Sequence, residues 1–177
     1  MAFNVTEFTG AIKNGGARPN LFEATILSPS GDMSDFRYMC KAAQVPGSTI
    51  PAIDVPYFGR QIRVAGNRTF EPWTVTIMND ENFTIRNGLE GWMEKINSHV
   101  GNNTVLPLES YKTTGDVIHF GKNGGKIARY QFEGLFPTEI GAIELSWENN
   151  DQIEEYTVTF AYDYWTHTSE TKGLVPA

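Results

Sequence analysis

Two short stretches constrain this chain more than anything else in it: Trp73-Thr-Val-Thr-Ile77 and Tyr156-Thr-Val-Thr-Phe160. Each sets bulky apolar residues on one parity and threonines on the other. A period of two is the signature of a strand with one buried and one exposed face, and no helix can hold it. The first stretch sits in Phe70 to Met78. The second sits in the longest alternating run, Ile153 to Tyr164, where Tyr156, Val158, Phe160, Tyr162 and Tyr164 oppose Glu155, Thr157, Thr159, Ala161 and Asp163. The shared pattern is what two strands lining one common surface would carry.

Other runs have the same period. They are Pro19 to Leu27 (Phe22, Ala24, Ile26), Asp35 to Lys41 (Phe36, Tyr38, Cys40), Tyr57 to Ala65 (Phe58, Ile62, Val64), Lys126 to Phe132, and Ile140 to Trp147. Weaker strands fall within 104–126. Pro29-Ser-Gly-Asp and Gly66-Asn67 are turn chemistry, so the first two runs are expected to form one hairpin and Tyr57–Ala65 with Phe70–Met78 a second. Glu148-Asn-Asn-Asp-Gln is a further turn. A single helix is expected after Asn79, with Ile85, Leu89, Trp92, Met93 and Ile96 on one face and Asn79, Asp80 or Asn82 as its cap. The expected fold is therefore mainly β: an antiparallel β-sandwich or small barrel with one flanking α-helix.

Between the two hairpins lies a long proline-containing loop. Gln44 to Pro56 carries three prolines and the apolar residues Val45, Ile50, Ile53 and Val55. Proline fixes φ and lacks an N–H, which excludes a helix interior and a central strand. Apolar residues that cannot be buried in their own sheet imply burial on a neighbour, with the loop ordering on assembly. Residues 1–18 read as an N-terminal arm that orders on a partner, and 166–177 as a C-terminal tail; the 177 residues form a single domain.

Composition narrows the chemistry. A net charge of −7 argues against tight binding to a nucleic-acid backbone, which needs lysine and arginine to displace counterions. The charge is also unevenly placed. Between Arg129 and Lys172 there is no Lys or Arg, while Arg60, Arg63 and Arg68 cluster in the central region. A subunit with one acidic and one basic face makes head-to-tail contacts that close into rings or extend into filaments. No apolar run reaches the ~20 residues of a membrane helix, and the first residues lack the layout of a signal peptide. The one cysteine, Cys40, reads as a small buried apolar side chain. Gly121 to Lys126 fails the phosphate-loop spacing, having Phe120 and Ile127 where Gly and Ser or Thr belong. His99, His119 and His167 are far apart and near no cysteine cluster, so no metal-ligand spacing exists. Glu154 and Glu155 are adjacent in a strand and point to opposite faces, unlike a glycosidase pair. No catalytic residue, cofactor or metal is expected.

The run Gly59 to Asp80, GRQIRVAGNRTFEPWTVTIMND, resembles the signature of tail tube proteins from contractile-tailed bacteriophages of the T-even type. The resemblance extends to Ala17-Arg-Pro-Asn-Leu-Phe-Glu, to Cys40-Lys-Ala, and to Gly134-Leu-Phe-Pro-Thr-Glu-Ile-Gly through Asp163-Tyr-Trp165. It is weakest over 98–126 and beyond Trp165. What it implies is a non-enzymatic structural subunit of a virion tail, assembled in the host cytoplasm. Such subunits form homo-hexameric rings stacked into a tube, with tail sheath, baseplate and tail-terminator proteins as partners and double-stranded DNA passing through without specific binding. A near alternative is the tube of a bacterial contractile injection system, an R-type pyocin or type VI-like apparatus. A more distant one is a ligand-binding β-sandwich, for which no aromatic platform with polar partners is evident. On the tube reading, Val45, Ile50, Ile53, Val55, Arg60 and Arg63 are expected at the contact between rings. Thr74, Thr76, Glu155, Thr157 and Thr159 are expected to face the lumen, where hydroxyls and negative charge give phosphates no cationic partner.

Overall fold

The computed structural model describes residues 5–12, 15–104 and 107–169. In chain order the elements are α1 (Val5–Ala11), β1 (Phe22–Ile26), α2 (Phe36–Met39), β2 (Cys40–Ala43), β3 (Ser48–Thr49), β4 (Ala52–Tyr57), β5 (Arg60–Ala65), β6 (Thr69–Phe70), β7 (Trp73–Met78), α3 (Thr84–Ile96), α4 (Leu108–Tyr111), β8 (Thr113–Phe120), β9 (Lys126–Ile140), β10 (Glu155–Ala161) and β11 (Tyr164–Ser169). The architecture is mainly β and antiparallel, as expected.

The two threonine-alternating stretches are neighbours: β7 pairs β10 antiparallel, with Val75 opposite Val158, Thr76 opposite Thr157 and Thr74 opposite Thr159. Their bulky parity, Trp73, Val75, Ile77, Tyr156, Val158 and Phe160, is buried. A second layer is formed by β1, β8, the first part of β9 and β11. It contributes Ala24, Ile26, Val117 and Phe132 to the same core. The layers meet where the Trp73 indole stacks on Phe132, centroids 4.6 Å apart.

Strand β9 belongs to both layers. Its first part pairs β8 and β11, and its end pairs β10. It changes layer near Gly134, and the β10–β11 segment changes layer beside it at Asp163, whose amide donates to the Glu133 carbonyl at 2.9 Å. Gly134 sits at φ 70, and a Cβ there would run into the Asp163 carboxylate. That carboxylate is held by Lys112 at 2.7 Å. Strands that switch sheets make the corners of such packings, and here the positive φ and the nearby carboxylate strongly favour glycine.

Helix α3 covers the core with Ile85, Leu89 and Trp92, all buried. Of the expected caps, Asp80 serves: its carboxylate accepts from the Thr84 amide at 2.9 Å and the Thr84 hydroxyl at 2.7 Å. The Trp92 indole N–H donates to the Tyr111 carbonyl at 2.9 Å, which satisfies the polar end of a buried ring.

Several expected elements are corrected. Asp35 to Lys41 is not one strand, and β1 pairs β8 rather than forming a hairpin with it. Residues 36–39 are helical, which keeps Phe36 and Cys40, four apart, on the buried side and turns Tyr38 outward. Alternation would have put all three inside. The second hairpin is also different. β5 pairs β4 through a two-residue turn with Phe58 at φ 43 and Gly59 at φ 78, the conformation that matches strand twist. The expected turn at Gly66 is instead a clasp, its amide donating to the Pro51 carbonyl at 2.7 Å. Consequently 44–56, expected as an extended loop, contains β3 and β4. Ile140 to Trp147 is not a strand either. β9 ends at Ile140, and the Gly141 amide donates to the Thr157 carbonyl at 2.7 Å as the chain leaves the sheet. The run Ile153 to Tyr164 divides into β10 and the start of β11 across the corner, leaving Tyr164 exposed. Within the expected N-terminal arm, Val5–Ala11 is an exposed helix, and Thr166–Ser169 of the expected C-terminal tail continue β11 along β9. Residues 1–4, 13–14 and 170–177 lie outside the described residues.

Candidate assembly surfaces

The arm β4–β5 stands away from the two layers. Every one of its strand residues is exposed. Register places Ile53 opposite Val64, Val55 opposite Ile62 and Tyr57 opposite Arg60, so one face of the arm is apolar with a guanidinium at its end. The other face carries the Asp54–Arg63 ion pair, 3.3 Å. Phe58, 91% exposed, forms the tip and packs edge-on against Tyr57. A lone two-stranded hairpin is marginal in water, and among the described residues the support for this one lies at its root. There Trp73 donates its indole N–H to the Gln44 carbonyl at 2.9 Å and Trp165 donates to the Gly47 carbonyl at 3.3 Å. β3 and β6 pair across the base. Of the expected inter-ring residues, Ile53, Val55, Arg60 and Arg63 are on the arm, with Arg63 on the face opposite the other three. Val45 and Ile50 lie at its root, exposed.

The outer face of β7 and β10 gathers all five residues expected to face the lumen. Thr74 and Thr159 bring their hydroxyls to 3.4 Å, Thr76 and Thr157 are opposite one another, and Glu155 receives Lys41 from β2 at 2.5 Å. Thr138 donates to the Thr159 carbonyl at 3.0 Å. The result is a hydroxyl-rich surface backed by the core. β-Branched threonine suits a pleated surface that is half buried, so the same residues serve folding and leave a polar exterior.

Neither surface is arranged for catalysis. The displaced titrations in the molecule have structural causes. Burial pushes the Cys40 thiol up to about 12, consistent with the inert buried side chain expected of it. Burial also pushes Tyr156 up to about 12, against the opposing pull of Arg86, whose guanidinium lies 5.1 Å from the ring. Hydrogen bonds from Thr84 hold the Asp80 carboxyl below its ordinary range. Among the described residues, no three His, Cys, Asp or Glu side chains come together to hold a metal.

A third surface lies outside the regular elements. Residues 141–154 form a long excursion between β9 and β10 on which Leu145 and Ile153 are exposed and Trp147 is fully so. The turn expected at Glu148-Asn-Asn-Asp-Gln falls within this excursion, whereas Trp147, expected to end a strand, lies on it because the chain leaves the sheet at Gly141.

The model of the family described as phage tail tube protein matches residues 7–168. The tail tube protein gp19 of Enterobacteria phage T4 is 37% identical over 165 residues, covering 91% of this chain and 98% of that protein. The chain belongs to the phage tail tube protein family. It is therefore a structural, non-enzymatic subunit of a virion tail. The tail tube protein of Serratia phage KSP90 is 27% identical, with 89% of this chain and 93% of that one covered. Among solved structures, a sheath–tube complex of an extracellular contractile injection system in its extended state shares the fold. Its TM-score is 0.62 at 13% identity, covering 95% of this chain and 99% of that chain. Tail tube subunits and injection-system components thus share an architecture, while sequence identity places this chain with the phage tubes.

Proposed function

We propose that this tail tube subunit forms hexameric rings whose channel is lined by the outer face of β7 and β10, and that the β4–β5 arm stacks one ring on the next. The observation that carries the reading is the arm, an entirely exposed hairpin with an ordered apolar face. Five apolar side chains in water are a standing cost, relieved when a second subunit covers them. The arm's prolines lower the entropy lost on docking. Val45, Ile50, Ile53, Val55, Arg60 and Arg63 make the contact between rings.

Thr74, Thr76, Glu155, Thr157 and Thr159 face the channel. Hydroxyls and a carboxylate release no counterions from DNA, so the duplex passes without specific binding. Tail sheath, baseplate and tail-terminator proteins are the partners of the finished tube, and assembly takes place in the host cytoplasm. Negative-stain microscopy of the purified protein tests the reading. Hollow tubes are expected, and replacing Ala52–Ala65 by a short Gly-Ser link should leave folded subunits or single rings. Long tubes from that variant would refute the arm as the stacking element.

A further inference from the structure

The arm needs a seat, and the other end of the same sheet offers one. Strand β7 enters the layer at Trp73, where the arm is rooted, and leaves it at Met78. Five steps of about 3.3 Å put these ends about 17 Å apart. At the Met78 end, the 141–154 excursion stands off β2 and β7 and leaves a groove of about 800 Å³. Met78, Ile143 and Ile153 supply apolar surface there, and Glu144, Asp151 and Glu154 supply carboxylates. The one cation in the lining, Lys41, is engaged by Glu155 at 2.5 Å. The groove is thus apolar and acidic, and the arm is apolar and basic.

We propose that this groove receives the arm of a second copy of the chain, with Tyr57, Phe58 and Arg60 entering it. The inference rests on the reading of the arm as an assembly element and names the surface it meets. Two features support the match. The charges are complementary, because Arg60 lies on the arm's apolar face beside Tyr57 and the groove presents carboxylates beside apolar side chains. The placement is also productive. Arm and groove lie at opposite ends of β7, so an arm-in-groove contact is heterologous and displaces each copy along the strand direction. Repeated, such a contact extends rather than closing a pair.

Charge exchange tests this. Arg60→Glu alone, and Glu144→Lys with Asp151→Lys alone, should each raise the critical concentration for tube formation by at least about tenfold through like-charge juxtaposition. Combining all three substitutions should recover most of that loss. Thermal melts of the subunits should match the parent, since these side chains are on the surface. A second measurement is independent of charge: Phe58→Cys with Leu145→Cys, treated with a short bismaleimide after assembly, should yield a ladder of covalent multimers. Arm variants that block assembly while the Glu144→Lys/Asp151→Lys protein assembles normally would overturn the groove and leave the arm reading intact. Normal tubes from both sets would overturn both. A charge-exchanged protein no better than the worse parent, or cross-linking without a ladder, likewise refutes the groove.

Discussion

Replacing Val55 and Ile62 by threonine isolates the arm's contribution to stacking. The two residues face each other across β4 and β5, and they are 44% and 53% exposed in the subunit. Threonine keeps the branched Cβ that strands favour, so the hairpin should persist. Full burial of a large aliphatic side chain is worth about 1.5–3 kcal/mol, and roughly half of each remains to be buried, giving about 1 kcal/mol apiece. Loss of both should weaken each arm contact by about 2 kcal/mol, or about 30-fold in its equilibrium constant. Sedimentation or light scattering across a concentration series reads this as a rise in the critical concentration. Because both sites are exposed in the subunit, its own unfolding free energy should stay within about 0.5 kcal/mol of the parent. A critical concentration within threefold of the parent would show that the apolar face is not buried on assembly. A lost subunit transition would show that it already supports the fold.

Four further outcomes follow from the structure. Gly134→Ala should destabilise the subunit by about 2–3 kcal/mol in a denaturant melt, since it combines a positive φ with a collision at Asp163; an unchanged midpoint would contradict the corner geometry. Thr157→Lys with Thr159→Lys should leave tubes intact in micrographs but slow DNA transit, and tubes that fail to form would place that face at an interface instead. Cys40 should resist thiol reagents at pH 8 in the folded protein and react on unfolding, because burial holds its thiol near 12. Tyr156, also raised to about 12 from an ordinary value of 10, stays neutral in the fold while the unfolded chain ionises. Its contribution is complete below pH 10 and lost as pH rises toward 12, so Tyr156→Phe should flatten that part of the stability profile.

The sequence by itself determined the parts of the molecule in which local period and burial agree. Trp73–Ile77 and Tyr156–Phe160 had to be half-buried strands whatever surrounded them, and their four threonines had to share a face once the strands paired. The Ile85, Leu89, Trp92 spacing likewise required a helix against a core, with a cap within reach at Asp80. Proline content kept Gln44–Pro56 out of the main sheet. Only the tertiary structure decided which strand met which. β4 pairs β5 rather than leaving β5 to pair β7, because Phe58–Gly59 supplies the tighter turn and Gly66 is clasped by Pro51. Phe36 and Cys40 could be brought inside by alternation or by a helical turn, since residues four apart satisfy both periods. The choice fell to packing, which turned Tyr38 outward. The layer change at Gly134 and Asp163 joins residues far apart in sequence, and no local pattern announces it. The same holds for the groove at the end of β7. Its lining comes from β2, β7, the start of β10 and the 141–154 excursion, and it exists only because the sheet brings those segments to one edge.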